Sequence, residues 1–438
     1  MMKKRFLPLL LTGVLGVCEL AASGGSGYSV EGSELGKIAS LPLVIASTHR
    51  GNPAKCGESV TFSVTPVKPP SGAAAIRIFK FVNAVESARE EHPISKFSVT
   101  MSSDVPAHLM VTGVYVDSGG KVLFPPPRTA GYGDGVLVSP ENLRRSRKRP
   151  LDFDAFWDRE VAKLADHPVN VKRRLYRTGK LWRCDEVELS VSGAVPVTGF
   201  LVVPENAPPK TLPAVIYFHG AGFKSSSVRS EFNDRAIVFD VNAHGIRNGM
   251  DKAFYRKLNQ SPPAGRDIFS GLESREENYF KNMFLRTVRA VEFVKSLPEW
   301  NGRTLIVAGR SQGGAQAIAA AALAKEVTLC IANVPALGDH GGAEAGRLPG
   351  WPLINPQKNP AIARTADYID IINLASRIKC ETIMSIGLID SICPPVSVWL
   401  AYMELKCKKN MKFFPQMGHN APPAELDGRQ RIKQEIVK

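Results

Sequence analysis

Gly309, Ser311 and Gly313 stand in a Gly-x-Ser-x-Gly spacing suited to one kind of chemistry, attack by an activated serine hydroxyl. An apolar run at 304–308 precedes them and an alanine-rich segment at 315–324 follows, so the pattern reads as strand, sharp turn, helix. Glycines at 309 and 313 leave room where a Cβ would strike the adjoining strand or helix. Ser311 can then adopt a strained turn that lifts its hydroxyl out of the sheet. The N–H of Gln312 opens the helix, at the pole where developing negative charge is favoured.

A serine hydroxyl needs a base, and the base needs a carboxylate to orient it. Two histidines lie downstream of Ser311, His340 and His419. His419 follows the last predicted strand and is the expected base; His340 lies in an insertion, as substrate rim or structure. Asp390 stands just past a predicted strand, at the carboxyl end where such sheets gather their sites, and is the expected orienting acid. Asp367 and Asp370 lie in the insertion and are secondary candidates. A second oxyanion donor is expected from Phe218-His219-Gly220-Ala221-Gly222, where the amide of Ala221 would join that of Gln312. His219 is expected to shape this loop, with Phe223, His340 and Trp351 as rim residues. No His-Glu-x-x-His spacing or calcium loop occurs, so neither metal nor cofactor is expected.

The elements that must position these residues follow from periodicity. Strand-like runs fall at 186–191, 197–203, 213–218, 236–239, 304–308, 327–331, 382–387 and 412–414. Helices are expected after Asp152, over 279–294 with Phe280, Met283, Phe284, Thr287, Val288, Val291 and Val294 on one face, and around 396–405. Alternating strands and helices imply an α/β fold with a doubly wound, mostly parallel sheet. Residues 246–278 and 333–378, rich in Gly and Pro, are expected to cap the site. Upstream, β-prone runs at 60–64, 75–82, 97–101 and 109–116 broken by turn residues suggest a small immunoglobulin-like β-sandwich. Pro125–Pro127 and Gly131–Gly133 lead out of it. The expected division is a leader over 1–23, the sandwich over 24–140, a solvated basic linker over 141–150 and the α/β domain over 151–438.

Lys3-Lys4-Arg5, the apolar run 6–17 and Ala21-Ala22-Ser23 have the layout of a cleaved secretory leader. Val17 sits where lipoprotein processing at Cys18 prefers a small residue, so export without a lipid anchor is expected. The 438 residues carry a formal charge of +15, read as solvated surface because no nucleic-acid motif accompanies it. Self-association, and a glycan or envelope contact through the N-terminal unit, stay open. Cysteines 56, 184, 330, 380, 393 and 407 are scattered and expected to be mostly free, with Cys380 and Cys407 the first pair to test for a disulfide.

Taken together, Arg149-Pro150-Leu151-Asp152-Phe153-Asp154-Ala155-Phe156-Trp157, Phe218-His219-Gly220, Gly309–Gly314, Asp390-Ser391-Ile392-Cys393-Pro394-Pro395 and Gly418-His419 resemble, in family order, the acetyl xylan esterase/cephalosporin-C deacetylase family, carbohydrate esterase family seven. The resemblance covers about 149–438. It implies Ser311 as nucleophile, Asp390 as acid, His419 as base, the Ala221 and Gln312 amides as oxyanion hole, and acetylated carbohydrate as substrate. Where the family commonly carries Arg-Gly-Gln, this chain reads Ala243-His244-Gly245-Ile246, so those contacts do not carry over. A general carboxylesterase or peptidase, and a catalytically silent glycan-binding protein, are the alternative readings.

Overall fold

The computed structural model describes residues 42–123, 132–191, 195–232, 234–354, 357, 359–419 and 428–437. The expected leader with Cys18, Pro125–Pro127, Gly131 and the Asn420 that follows His419 lie outside the described residues.

The first eight strands are β1 (Leu43–Ser47), β2 (Val60–Pro66), β3 (Ala75–Val82), β4 (Val85–His92), β5 (Phe97–Met101), β6 (Ala107–Val116), β7 (Val122–Leu123) and β8 (Gly133–Val138). They form two antiparallel sheets, β1-β2-β5 and β4-β3-β6-β7, with β8 also paired to β6. Alternation drives the packing: Val60, Phe62 and Val64 of β2 face inward and meet Ile76, Ile78, Leu109 and Val111 in one core. The β3–β4 turn uses Asn83 and Ala84 at φ 54° and 62°, the left-handed pair that a two-residue hairpin loop requires. β8 lies where the chain was expected to be leaving this unit. Its six residues, Gly-Asp-Gly-Val-Leu-Val, carry too little alternation to announce a strand.

A third sheet has nine strands: β9 (Val171–Thr178), β10 (Trp182–Leu189), β11 (Val197–Pro204), β12 (Leu212–Phe218), β13 (Ile237–Asn242), β14 (Trp300–Arg310), β15 (Leu329–Asn333), β16 (Glu381–Gly387) and β17 (Lys409–Phe414). Their order is β17-β16-β15-β14-β12-β13-β11-β10-β9. From β13 through β17 the neighbours are parallel; β9, β10 and β11 join antiparallel, so the sheet is mixed. Strands β11, β12, β13 and β15 are buried at every residue, as a sheet covered on both faces demands. Edge strand β9 is exposed throughout and carries Lys172, Arg173, Arg174 and Arg177, charges that discourage edge-to-edge pairing. Its lack of alternation is why periodicity passed it over.

Helices α1 (Phe153–Ala165), α2 (Lys252–Gln260), α3 (Tyr279–Ser296), α4 (Gln312–Leu323), α5 (Pro360–Ile369), α6 (Ile371–Ala375), α7 (Pro395–Glu404) and α8 (Arg429–Val437) complete the described elements. Asn278 caps α3 by accepting from the amides of Phe280 and Lys281, and all seven residues of the predicted apolar face are buried. Alanines let α4 lie flat against the sheet: all twelve of its residues are buried. One sheet face meets α1, α3, α4, α6 and α7 in the main core; the other meets Ile432 and Ile436 of α8.

The basic run at 144–149 is not the solvated linker its composition suggested. Arg145 pairs with Glu404 and donates to Asn373, Ser146 donates to Asp339, and Arg147 forks onto Asp367 at 2.8 and 3.0 Å while reaching Glu344. The acceptors come from the 333–378 insertion and α7, far away in sequence, so charge counting alone could not pair them. Among the described residues the six cysteines form no disulfide; Cys407 Sγ lies 3.7 Å from Thr382 Oγ1 instead of bonding Cys380.

Arg147→Ala strands a carboxylate, Asp367, that burial already raises. The variant should lose about 1–3 kcal/mol of stability, whereas exposed Lys148→Ala should stay within about 0.5 kcal/mol. Chemical denaturation of both measures the difference.

Candidate active site

Strand β14 ends at Arg310 and α4 begins at Gln312, leaving one residue, Ser311, to reverse the chain. Ser311 has φ 59° and ψ −126°, a conformation that costs on the order of 1–3 kcal/mol. Its own backbone bonds hold it there. The Ser311 N–H donates to Asn333 O (2.9 Å), and its carbonyl accepts from the amides of Ala315 and Ala336 (3.1 Å each). Ser385 Oγ in turn donates to Asn333 Oδ1 at 3.0 Å. The glycines work as expected: a Cβ on Gly309 would stand 2.1 Å from Gly313 O, and one on Gly313 would stand 2.0 Å from Phe218 O. Both are backbone clashes that no side-chain adjustment relieves.

His419 follows β17 by five residues, and its Nε2 lies 2.9 Å from Ser311 Oγ. Its Nδ1 lies 2.8 Å from Asp390 Oδ2. A carboxylate accepts, so Nδ1 carries the proton and Nε2 is the free acceptor that faces the serine hydroxyl. Asp390 is fully buried; its other oxygen accepts from the amides of Ile392 (2.8 Å) and Cys393 (2.9 Å), which stops the carboxylate from rotating. Of the three, His419 has the most open side chain, 21% exposed. A small reactant therefore meets the imidazole edge and the serine hydroxyl, not the acid.

Arg310 lay inside the motif without attracting a role. Its buried guanidinium donates from Nη2 to the His419 carbonyl, tying the base's backbone to the elbow. Burial lowers its basicity, and the charge of Asp390 opposes that. The signal was its position beside Ser311, but nothing in the sequence identifies a carbonyl as its target.

The 219–222 loop sits against the elbow. A Cβ on Gly220 would be 3.3 Å from Arg310 O and 3.6 Å from Ser311 Cβ. Ala221 follows in that loop, and Gln312 opens α4, where Ser311 makes no side-chain cap bond. His219 is a shaper: it bonds the Gly220 carbonyl through Nδ1 (2.7 Å) and accepts from Ala243 N–H through Nε2 (3.1 Å). Burial, chiefly, pushes it down to about 3, so it stays neutral. Around the altered segment, Arg266 donates to the carbonyls of His244 (3.0 Å) and Gly245 (3.1 Å), and Arg286 to that of Ala243 (2.9 Å). His244 Nδ1 meets Tyr279 OH at 2.5 Å, and burial drives its basicity far down.

Two rim expectations need correction. His340 has no exposed surface; its ring nitrogens lack partners, and burial lowers it to about 4. The left-handed Asp339 just before it, clamped by Arg347, turns this loop inward. Phe223 is also buried, its ring tilted against that of His244 at 4.5 Å and packed with Ile246 and Tyr255. Trp351 stays half-buried beside the acid's loop: its N–H donates to Ile392 O and its ring meets Phe280 edge-on. Asp370 caps α6 through Ile372 N–H and Asp367 holds Arg147, so neither secondary carboxylate reaches His419. Among the described residues, Asp390, Cys393 and His419 form the one group of donor side chains close enough for a metal, within 4.8 Å. Two of these are the residues already bonded in line with Ser311.

The fold and this constellation define an α/β hydrolase with serine, histidine and aspartate in line. A family model described as acetyl xylan esterase matches residues 139–431, and the chain belongs to that family of carboxylic ester hydrolases. Acetyl esterase Axe7A of Xylanibacter ruminicola is 32% identical over 295 residues, which is 65% of this chain and 66% of that relative's length. An acetyl xylan esterase from a Paenibacillus species superposes with a TM-score of 0.55 at 26% identity, covering 66% of this chain and 95% of that one. Acetyl xylan esterase 1 from a Thermoanaerobacterium species gives a TM-score of 0.56 at 23% identity over 67% of this chain and 95% of its own, a likeness of fold. No helix among the described residues is long and apolar enough to cross a membrane.

The burial of His340 has a measurable consequence. The folded group sits at about 4, below its ordinary 6.5, so it contributes stability that is full above pH 6.5 and lost as pH falls through about 4. His340→Leu should flatten that loss by up to about 1.4 kcal/mol per pH unit and keep ester hydrolysis within about threefold of wild type. Thermal melts from pH 7 to 4 check the first; a large rate loss would restore His340 to the rim.

Proposed function

We propose that this protein is an exported serine esterase that removes O-acetyl groups from acetylated xylan, xylo-oligosaccharides and other small acetyl esters. The single observation that carries the reading is the unbroken line Ser311 Oγ, His419 Nε2, His419 Nδ1, Asp390 Oδ2, with both contacts within hydrogen-bond reach. Ser311 attacks the acetyl carbonyl while His419 takes the hydroxyl proton. The sugar alkoxide then leaves with that proton, and an acetyl-enzyme remains. Water repeats the sequence with His419 as base, and acetate departs. The Ala221 and Gln312 amides receive the oxyanion, each worth roughly 3–4 kcal/mol of barrier. Asp390 holds the imidazole in the tautomer with Nδ1 protonated and stabilises the imidazolium that forms.

The name of the Xylanibacter relative supports acetyl as the acyl group, and the family description supports xylan as the carrier. Export rests on the leader-like residues 1–23, and the domain division on two separate hydrophobic cores, one of β1–β8 and one around the nine-stranded sheet. The eight strands constitute a β-sandwich of immunoglobulin type in this reading.

Ser311→Ala should reduce turnover of a small acetyl ester by at least about 10⁴-fold and abolish fluorophosphonate labelling, with its melting transition retained. An acetate-release series over acetylated xylan, xylo-oligosaccharides, pectin and longer acyl esters tests the substrate. Equal rates on acetyl and longer acyl esters would replace the deacetylase by a general carboxylesterase.

A further inference from the structure

The family match begins at residue 139, after all eight N-terminal strands, so it assigns them nothing. Besides Leu348 N–H donating to Asn83 O and Leu137 of β8 packing into the main core, they meet the α/β part at two short segments beside the site. His108, on β6 and fully buried, approaches Leu388 O with its Nε2 at 2.8 Å, across 280 residues of sequence. A carbonyl only accepts, so Nε2 carries the proton and donates. Burial keeps the ring neutral, and the fixed tautomer suits that one bond. Gly135 of β8 presses on the same carbonyl: a Cβ there would stand 2.1 Å from Leu388 O and 2.9 Å from His108 Nε2. The hairpin turn secures His108 in return, because Asn83 Oδ1 accepts from the His108 amide and Asn83 N–H donates to the His108 carbonyl.

Leu388 stands two residues before Asp390. The second segment stands just before His419. Gln416 Nε2 donates to Ile45 O of β1 at 2.6 Å, and Pro415 lies where a Cβ on Gly51 would meet it at 2.7 Å. The two segments also hold each other: Leu388 N–H donates to Phe414 O, Ile389 N–H to Met417 O, and Gly387 has backbone from Met417 and Gly418 where its Cβ would be. The strand unit thus grips both chain exits, from β16 and from β17, within a few residues of the acid and the base.

We propose that His108, Gly135 and Gln416 are positioning residues: the N-terminal strand unit is a brace that sets the Asp390 and His419 loops at reacting distance. The proposal rests on the triad reading above. Cross-domain packing that served stability alone would be free to land anywhere on the α/β surface. Here one donor and one missing Cβ meet on a single carbonyl beside the acid. Errors of about 1 Å at a reacting group lower rates by about 10²-fold, so a brace of this kind acts on turnover more than on binding.

The experiment compares full-length wild type, His108→Ala and His108→Gln on 4-nitrophenyl acetate, with melting transitions and fluorophosphonate labelling rates. Glutamine brings an amide N–H to about the place of Nε2. His108→Ala should lower kcat and the labelling rate together by about tenfold or more with KM within about twofold, and His108→Gln should recover most of the loss. A folded His108→Ala with wild-type kcat overturns the brace, as does an equal kcat loss in both variants. If His108→Ala does not fold, Gln416→Ala, which removes a contact from a half-buried side chain, carries the test. A kcat loss of about threefold or more at unchanged KM supports the brace, and a wild-type kcat overturns it. Ser311→Ala separates the two claims: serine-independent turnover would remove the triad itself, whatever the brace variants do.

Discussion

The site depends on how closely helix α4 approaches the strands it crosses. Gly313 stands where a Cβ would be 2.0 Å from the Phe218 carbonyl, Gly309 where one would be 2.1 Å from Gly313, and Gly314 where one would be 3.1 Å from Asn333 O. With side chains at the first two positions the helix would have to retreat, and Ser311 would relax out of its left-handed conformation. The same approach brings the 219–222 loop to the serine, because the backbone that Gly313 touches is that of Phe218 and His219. Ser311 and the 219–222 loop thus share one packing constraint.

Parallel pairing does the remaining placement. β12, β14, β15 and β16 run in register, so Phe218, Gly309, Ala332 and Met384 lie abreast and the chain leaves each strand at the same end. β17 pairs Phe414 with Gly387, which sets the His419 segment beside the Asp390 segment. Burial then sorts the roles: a fully buried carboxylate, an imidazole with one open edge, and a serine nearly covered. Arg310 closes the arrangement by joining the strand before Ser311 to the His419 carbonyl.

Ser311, Asp390 and His419, which the structure brings into line, were legible in the sequence because each follows a short apolar run, and because the elbow needs glycines at fixed offsets. Helix α3 was legible from its 3.6-residue period, and the buried strands from length and composition. What stayed hidden has no local period. β9 is a charged edge; β4 is a mostly polar hairpin arm, Val-Glu-Ser-Ala-Arg-Glu-Glu-His, paired among the described strands with β3 alone. His340 has the composition of a surface loop around it, and its burial depends on Asp339 and Arg347 folding that loop inward. The bond from His108 to Leu388 joins residues 280 apart, and pairing at that distance is a product of the fold.

The central claim is that Ser311 carries the acyl group. Acid-quenching the enzyme during turnover of an acetyl ester, then weighing the intact protein and its peptides, tests this most directly. The account predicts an added mass of one acetyl group on the peptide that contains Ser311, lost again as substrate runs out. Full turnover without such an adduct in the wild type or in a slow-deacylating variant, or with the acetyl group on another residue, would contradict it.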